Sequence, residues 1–307
     1  MRQFSVREPA FWEAWPAHLK HLQDDYRSLG GGLATYFLGP EDPASPAIVA
    51  LGMAPGFTLS RHSHSCHRFE IVMEGSFDAG RGNVVTTGDA MISAPFISYG
   101  PHVAGPGGSK SLEIFGDYKA SYTQALQTPD GVFHCDSSTV AGYAEYRAVQ
   151  RKYAMSMVEA RAMQDSLGAA PDGGVPDQHF LSPRDPAFWT NCPAERADLR
   201  ALMQARPGRL AFFRMGGAAD KLPYVAVIKL DPGECLAAES RHGNRFKALV
   251  TGSTSTLPAG SVIDAAPGEV TPPLTAGSDG ALLYEIFADL RDIAPRYASA
   301  RFTKQAI

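Results

Sequence analysis

The chain has few of the features that would direct it to a membrane, a nucleic acid or an oxidising compartment. No apolar run approaches the roughly 20 residues needed to span a bilayer. Basic residues are not in surplus: 28 Lys and Arg stand against 32 Asp and Glu, a formal net charge of −4. The bulk charge therefore offers nothing to a phosphate backbone or an anionic lipid surface. The four cysteines, Cys66, Cys135, Cys192 and Cys235, form no CxxC pair and are too sparse for a disulfide framework. The N-terminal stretch MRQFSVREPAFWEAWP lacks a basic segment followed by an apolar core, so no secretory leader is expected and a reducing cytoplasm is the default location. Gly30-Gly31-Gly32 and Gly107-Gly108 read as turns, and no strand–GxGxxG–helix context supports a nucleotide fingerprint.

What is present is a repeat. At 307 residues the length suggests two domains, each large enough for a core, and 44% hydrophobic with 20% charged residues is ordinary for a globular chain. REPAFW from Arg7 returns as RDPAFW from Arg184, an offset of 177. At that offset LATYFLG faces LAFFRMG, PAIVALGMAPG faces PYVAVIKLDPG, and CHRFEIVMEGS faces GNRFKALVTGS. After a shortening of five residues, PHVAGPGGSKSLEIF from Pro101 faces PLTAGSDGALLYEIF from Pro273. One register held over so many segments marks two copies of one unit. We divide the chain into a first unit at 1–144, a helix and linker at 145–180, and a second unit at 181–307.

Each unit opens on a helix start, Glu8-Pro9 and Asp185-Pro186, with an acid near the N-terminus and proline in the first turn. Phe11, Trp12, Trp15, Leu19 and Leu22 then form an apolar stripe, expected to pack a helix against a sheet. Short β-rich runs follow, among them Ala47–Met53, Phe69–Met73 and Tyr224–Leu230, bounded by glycine, proline and aspartate. Glu145–Gln164 reads as a helix, and Gly168–Pro176 as a flexible linker. With 30 glycines and 23 prolines, this pattern gives an all-β fold of two tandem jelly-roll barrels with additional short helices.

The chemistry gathers between Gly56 and Gly75, GFTLSRHSHSCHRFEIVMEG. His62 and His64 are two apart, so on a strand they share a face. His102 follows after Gly88-Asp89, Pro95, Gly100 and Pro101. Three imidazoles suit a divalent transition metal. The second unit acts as a control, because the matching positions are Glu239, Arg241 and Leu274. Histidines needed only for packing would be expected in both copies, and the second barrel is expected to be metal-free. The competing reading is a buried-histidine cluster or a decayed site.

These residues resemble the cupin superfamily in its two-domain, bicupin form. That family's first motif is a glycine, five residues, His-x-His, three or four residues, a glutamate, six residues and a glycine. Gly56, His62, His64 and Gly75 match it, and Gly88-Asp89, Pro95, Gly100 and His102 resemble the second motif with one extra residue before the proline. The chain departs from the pattern at Arg68, which stands where the family carries its ligand glutamate. The nearest acid on that strand face is Glu70, about 6–7 Å farther along, too far for a metal bond without a bulge. The expected site is therefore His62, His64 and His102 with water, and Glu70 beside it; Glu70 or His67 as a further ligand would each require a bulge. Glu70 faces Lys247 in the repeat, so it is specific to the histidine copy, whereas Arg68-Phe69 recurs as Arg245-Phe246 and suits packing or ion pairing.

The resemblance implies a metal-dependent enzyme acting on a small anionic molecule: a three-histidine Fe(II) dioxygenase, with Glu70 moving protons and Arg68 pairing with a substrate carboxylate. The same ligands would serve Mn²⁺, Ni²⁺ or Zn²⁺ in an isomerase, lyase or hydrolase. A third reading is a small-ligand-binding protein using the second barrel, with Glu239 and Arg241 as anchors. A homodimer is an expectation from the resemblance alone. Cys66 reads as an inert small residue in preference to a redox group. Tyr99 and Phe57 suit either lumen lining or core packing. His18, His21, His134, His179 and His242 read as surface residues.

Overall fold

The computed structural model describes residues 1–28, 31–167, 178–215 and 223–304. The linker expected at Gly168–Pro176 and Gly30 of the glycine triplet lie outside the described residues. The fold is all-β, two tandem jelly-roll units with short helices, as the patterning anticipates.

In the first unit the strands are β2 (Gly31–Phe37), β3 (Ala47–Met53), β4 (Thr58–Leu59), β5 (His62–His64), β6 (Arg68–Asp78), β7 (Val84–Thr86), β8 (Ala90–Ser93), β9 (His102–Phe115), β10 (Thr123–Thr128), β11 (Gly131–Asp136) and β12 (Gln178–Leu181); β1 (Arg2–Ser5) belongs elsewhere. They form an antiparallel sheet in the order β12-β8-β6-β9-β3-β2 and a three-stranded sheet β11-β10-β5. The second unit holds β13 (Leu210–Arg214), β14 (Tyr224–Leu230), β15 (Glu234–Leu236), β16 (Arg245–Thr254), β17 (Ser261–Ala265), β18 (Leu274–Phe287) and β19 (Phe302–Lys304). Its main sheet runs β1-β17-β16-β18-β14-β13, so β1 is its edge strand. By strand pairing the compact units are Trp12–Leu181 and Met1–Phe11 with Ser182–Ile307, whereas the boundaries at 144 and 181 follow the sequence repeat.

β3 and β14 occupy the expected ranges because each is an apolar run, broken in β14 only by the exposed Lys229, and lies inside its sheet. Other expectations are corrected. The aromatic stripe does not ride on one helix: it is cut into 3₁₀ turns at Pro9–Glu13 and Ala17–Leu22 and helix α1 (Gln23–Arg27). Pro16 stands between the two turns and cannot donate a backbone hydrogen bond. The helix expected at Glu145–Gln164 is two. After α2 (Tyr118–Tyr122) come α3 (Val140–Lys152) and α4 (Met157–Ser166), and Ser156 restarts the second with a capping box to Glu159. Gly31 and Gly32 are strand, not turn. A Cβ on Gly32 would come within 2.9 Å of the Trp12 ring, so glycine is what lets that indole lie against β2. Gly107 and Gly108 likewise fall within β9.

The chain from Gly56 to Gly75 is not one strand. β5 and β6 belong to different sheets, and the chain turns between them at 65–67. The two-residue parity that relates His62 to His64 therefore does not carry on to Arg68 and Glu70.

One backbone device recurs in both copies. Gly75 and Gly252 have φ of +77° and +76°, and an added Cβ would sit 2.1 Å from the carbonyl oxygens of Gly108 and Gly280 respectively. Gly75→Ala and Gly252→Ala should each lower unfolding stability by roughly 2 kcal/mol or more, read by urea denaturation.

Candidate metal centre

The described residues bring the expected side chains into one buried lumen in the first unit. β5 supplies His62 and His64, and β9 opens on His102 beside Leu59 of β4. His62 also forms an isolated antiparallel bridge with Tyr99, closed by backbone hydrogen bonds of 3.1 and 2.9 Å. Residues paired this way carry their side chains on the same face. Tyr99 is thereby set among the histidines, its ring centroid 4.6 Å from His62, 6.1 Å from His64 and 5.4 Å from His102. The rings of His62 and His64 are 5.2 Å apart.

His62 Nδ1 lies 2.7 Å from the Ser60 carbonyl oxygen and so donates to it, which leaves Nε2 as the acceptor. The Tyr99 hydroxyl donates to that Nε2 across 3.0 Å. Both nitrogens of His102 are buried without a hydrogen-bond partner. Neither nitrogen of His64 makes a well-formed hydrogen bond, although the main chain at Ala120 and Ser121 lies near enough to favour its protonated form slightly. Burial pushes all three imidazoles below their ordinary range, His62 to about 4, and the nearby Arg68 adds to the shift. They are neutral at pH 7, the state in which imidazole binds a metal.

Arg68 and Glu70 enter from β6, Arg68 fully buried and Glu70 1% exposed. Arg68 Nη1 donates to Glu70 Oε2 at 2.7 Å and to Glu113 Oε1 at 2.5 Å. Glu70 and Glu113 are direct partners across β6 and β9, which is why one guanidinium nitrogen reaches both. The Arg68 guanidinium lies 3.8 Å from the Tyr99 ring centroid. Its Nε and Nη2 have no partner, nor does Glu70 Oε1. Those two nitrogens form one edge of the guanidinium, the edge that matches a carboxylate.

The donor chemistry fits a metal ion: neutral imidazoles, four of their nitrogens unpartnered, held in a buried pocket. The spacing falls short of a closed set, since among the described residues no three of His, Cys, Asp and Glu are placed to share one ion. The Tyr99 hydroxyl holds the His62 nitrogen that would be needed. His67 sits half-buried in the turn before β6. Cys66 is held inert, burial pushing its thiol up to about 12. All four cysteines are unpaired. His18, His21, His134, His179 and His242 are exposed, as expected of surface residues. Next to His62 and His64 lies a cavity of about 50 Å³ that Glu113, Phe115 and Tyr122 also line.

Sequence reasoning passed over Glu113 and left Tyr99 undecided. The signal for Glu113 was in the repeat, where LEIF and YEIF carry a glutamate at matching places, Glu113 and Glu285.

The second unit uses the matching positions differently. Arg241 pairs with Glu239 at 2.8 Å and Glu285 at 3.2 Å, Lys247 bonds Glu239 and Glu285, and Arg296 bonds Glu285 through two nitrogens. Ionic groups thus fill the lumen where the first unit has imidazoles.

No protein-family model matches the chain, and no curated protein sequence does. Among solved structures, the Bacillus subtilis oxalate decarboxylase determined at pH 4.6 is 14% identical over 84% of this chain and 72% of that one, with a TM-score of 0.40. A structure of the same enzyme, described for the EPR parameters of its Mn(II) centres, is 14% identical over 90% of this chain and 85% of that one, with a TM-score of 0.43. At identities and scores this low, they say nothing about residues or reaction.

Burial and Glu70 push the Glu113 carboxyl up from an ordinary 4.5 to about 7, against the pull of Arg68. A carboxyl raised in the folded state contributes stability that is full below its unfolded pKa and lost as pH rises through the folded one. Stability should therefore fall between about pH 4.5 and 7. Glu113→Gln should flatten that fall in urea denaturation run across the range.

Proposed function

We propose that the lumen of the first unit is a metal-dependent active site for a small organic anion. The observation that supports this best is the unpartnered, buried donor set of His64, His102 and the Nε/Nη2 edge of Arg68. Leaving such groups unpaired costs about 1–3 kcal/mol each, which a bound ion and a bound carboxylate would offset. His62, His64 and His102 would hold one divalent transition ion. Three neutral ligands leave its double positive charge uncompensated, which favours an anionic substrate. As ferrous iron it would supply binding of O₂ and a chelating substrate, the dioxygenase reading.

The chain's own residues have separable tasks in this reading. Arg68 orients the substrate carboxylate on its unused edge. Glu70 Oε1 accepts a proton or fixes a water beside the substrate. Glu113, its carboxyl raised to about 7, exchanges a proton near neutral pH. His62 must release the Tyr99 hydroxyl before its Nε2 can bind an ion.

Anaerobic titration with Fe(II), followed by O₂ uptake against a panel of aromatic and dicarbonyl acids, tests the proposal. One ion per chain should bind, and His62→Ala, His64→Ala and His102→Ala should each lose it. Turnover with Mn(II) or Zn(II) and no O₂ uptake would replace the dioxygenase by an isomerase, lyase or hydrolase, and failure to take up any metal would overturn the site. Tyr99→Phe frees His62 Nε2 and should tighten metal binding about tenfold, the worth of one hydrogen bond. Arg68→Lys, which keeps the charge but not the planar edge, should raise KM for a carboxylate substrate while metal binding is retained.

A further inference from the structure

The lumen of the second unit holds more buried positive charge than its own carboxylates can balance. Arg241, Arg245, Lys247 and Arg296 are each no more than 5% exposed, and so are four cations against two comparably buried carboxylates, Glu239 at 6% and Glu285 at 0%. The network satisfies part of this. Lys247 and Arg296 share both glutamates, Arg241 takes one oxygen of Glu285, and Tyr297 donates its hydroxyl to the same Glu285. Every carboxylate oxygen is thereby already engaged. Among the described residues, three guanidinium nitrogens of this network remain buried without a partner: Nη1 of Arg241, and Nε and Nη1 of Arg245. Among the described residues, Arg245 donates Nη2 to the Glu269 carbonyl.

These unused donors belong to neighbouring side chains. Arg245 is the direct strand partner of Phe287, and the Arg241 guanidinium lies 4.0 Å from the Phe287 ring centroid. Burial holds Arg245 below its ordinary range, and repulsion from Arg241 adds to this against the pull of Glu239.

The first unit shows what stands beside this arginine in the other copy. Arg68 corresponds to Arg245, and its guanidinium is faced by the Tyr99 ring at 3.8 Å. The residue matching Tyr99 is Thr271, and it keeps the same backbone place: Thr271 bridges Glu239 as Tyr99 bridges His62. Replacing a phenol by a threonine side chain removes the aromatic cover from the arginine without moving the chain. A cationic surplus, unpartnered donors and a side-chain truncation thus coincide.

We infer that the second unit binds a small monovalent anion, a halide or a short-chain carboxylate, against Arg241 and Arg245 on the side where Thr271 replaces the tyrosine of the first unit. The anion accepts from the guanidinium nitrogens that no oxygen of the described residues reaches and offsets part of the surplus charge. The site is independent of the histidine centre and involves no metal.

Bromide-soaked crystals of the full chain test this directly. An anomalous peak should lie within hydrogen-bond distance of the Arg241 and Arg245 guanidinium groups. In solution, protein dialysed free of halide and carboxylate should gain thermal stability on addition of bromide, chloride, formate or acetate. The gain should saturate at an upward shift on the order of 5 °C when the anion reaches about a hundred times its Kd. Comparing halides with carboxylates at equal ionic strength distinguishes the two sources. Thr271→Tyr copies the first unit's own residue, so it should fold, yet it should abolish both the bromide peak and the saturating shift. Arg245→Met should do the same. No peak in this lumen, or a shift that persists unchanged in Thr271→Tyr, would overturn the inference.

Discussion

A guanidinium buried in the lumen of each unit is the constraint on which the interior depends. Arg68 on β6 and Arg245 on β16 occupy matching places, and both are fully buried. Moving such a charge from water into a protein costs several kcal/mol unless it is paired and hydrogen-bonded. The first unit answers with two carboxylates on paired strands, Glu70 and Glu113, both bonded to one nitrogen of Arg68, and with the Tyr99 ring over its face. Tyr99 in turn is the ring around which the three imidazoles are arranged. The candidate centre is thus built outward from an ion pair: remove the guanidinium, and two buried carboxylates stand opposite each other with no counter-charge.

The second unit keeps the arginine and changes its company. Glu70 becomes Lys247, so one of the two counter-ions turns into another cation, while Glu285 retains the role of Glu113. Glu239 arrives at the His62 position and Arg241 at the His64 position, and Arg296 joins from the short helix Ile293–Arg296. Three cations converge on two glutamates, and Arg245 is left with a single main-chain carbonyl. The same fold therefore carries a nearly neutral imidazole set in one copy and a dense ionic set in the other. This shows how little the fold itself specifies chemistry.

The sequence made the repeat, the all-β class and the strands at Ala47–Met53 and Tyr224–Leu230 legible, because these rest on local apolar patterning and on a register visible by eye. It also brought out His62, His64 and His102, which a short motif and the contrast with Glu239, Arg241 and Leu274 mark out. What it could not show depends on partners distant in the chain. Tyr99 stands among the histidines because its backbone bridges His62, 37 residues earlier, and nothing in the local periodicity of PFISYG announces that. The turn at 65–67 was hidden for a related reason. SCH is compatible with continued extension, and only the different sheets entered by β5 and β6 reveal the break. Glu70 is buried beside Arg68, but it enters from β6 after the turn and not along the strand that carries His62 and His64.

The two interiors share a polarity that neither motif displays. In the first, the unused edge of Arg68 is a hydrogen-bond donor, and the neutral imidazoles have lone pairs that a cation would engage. In the second, the unused groups are donors alone, and the carboxylates are already taken. A lumen offering both lone pairs and a guanidinium edge can hold a metal and an anion side by side. One offering only donors is suited to an anion. Glu239 and Arg241, at the places of two imidazoles, pair with each other and leave surplus charge on Arg245. Where the first copy has imidazoles, the second thus presents buried cationic donors around the arginine that both copies keep.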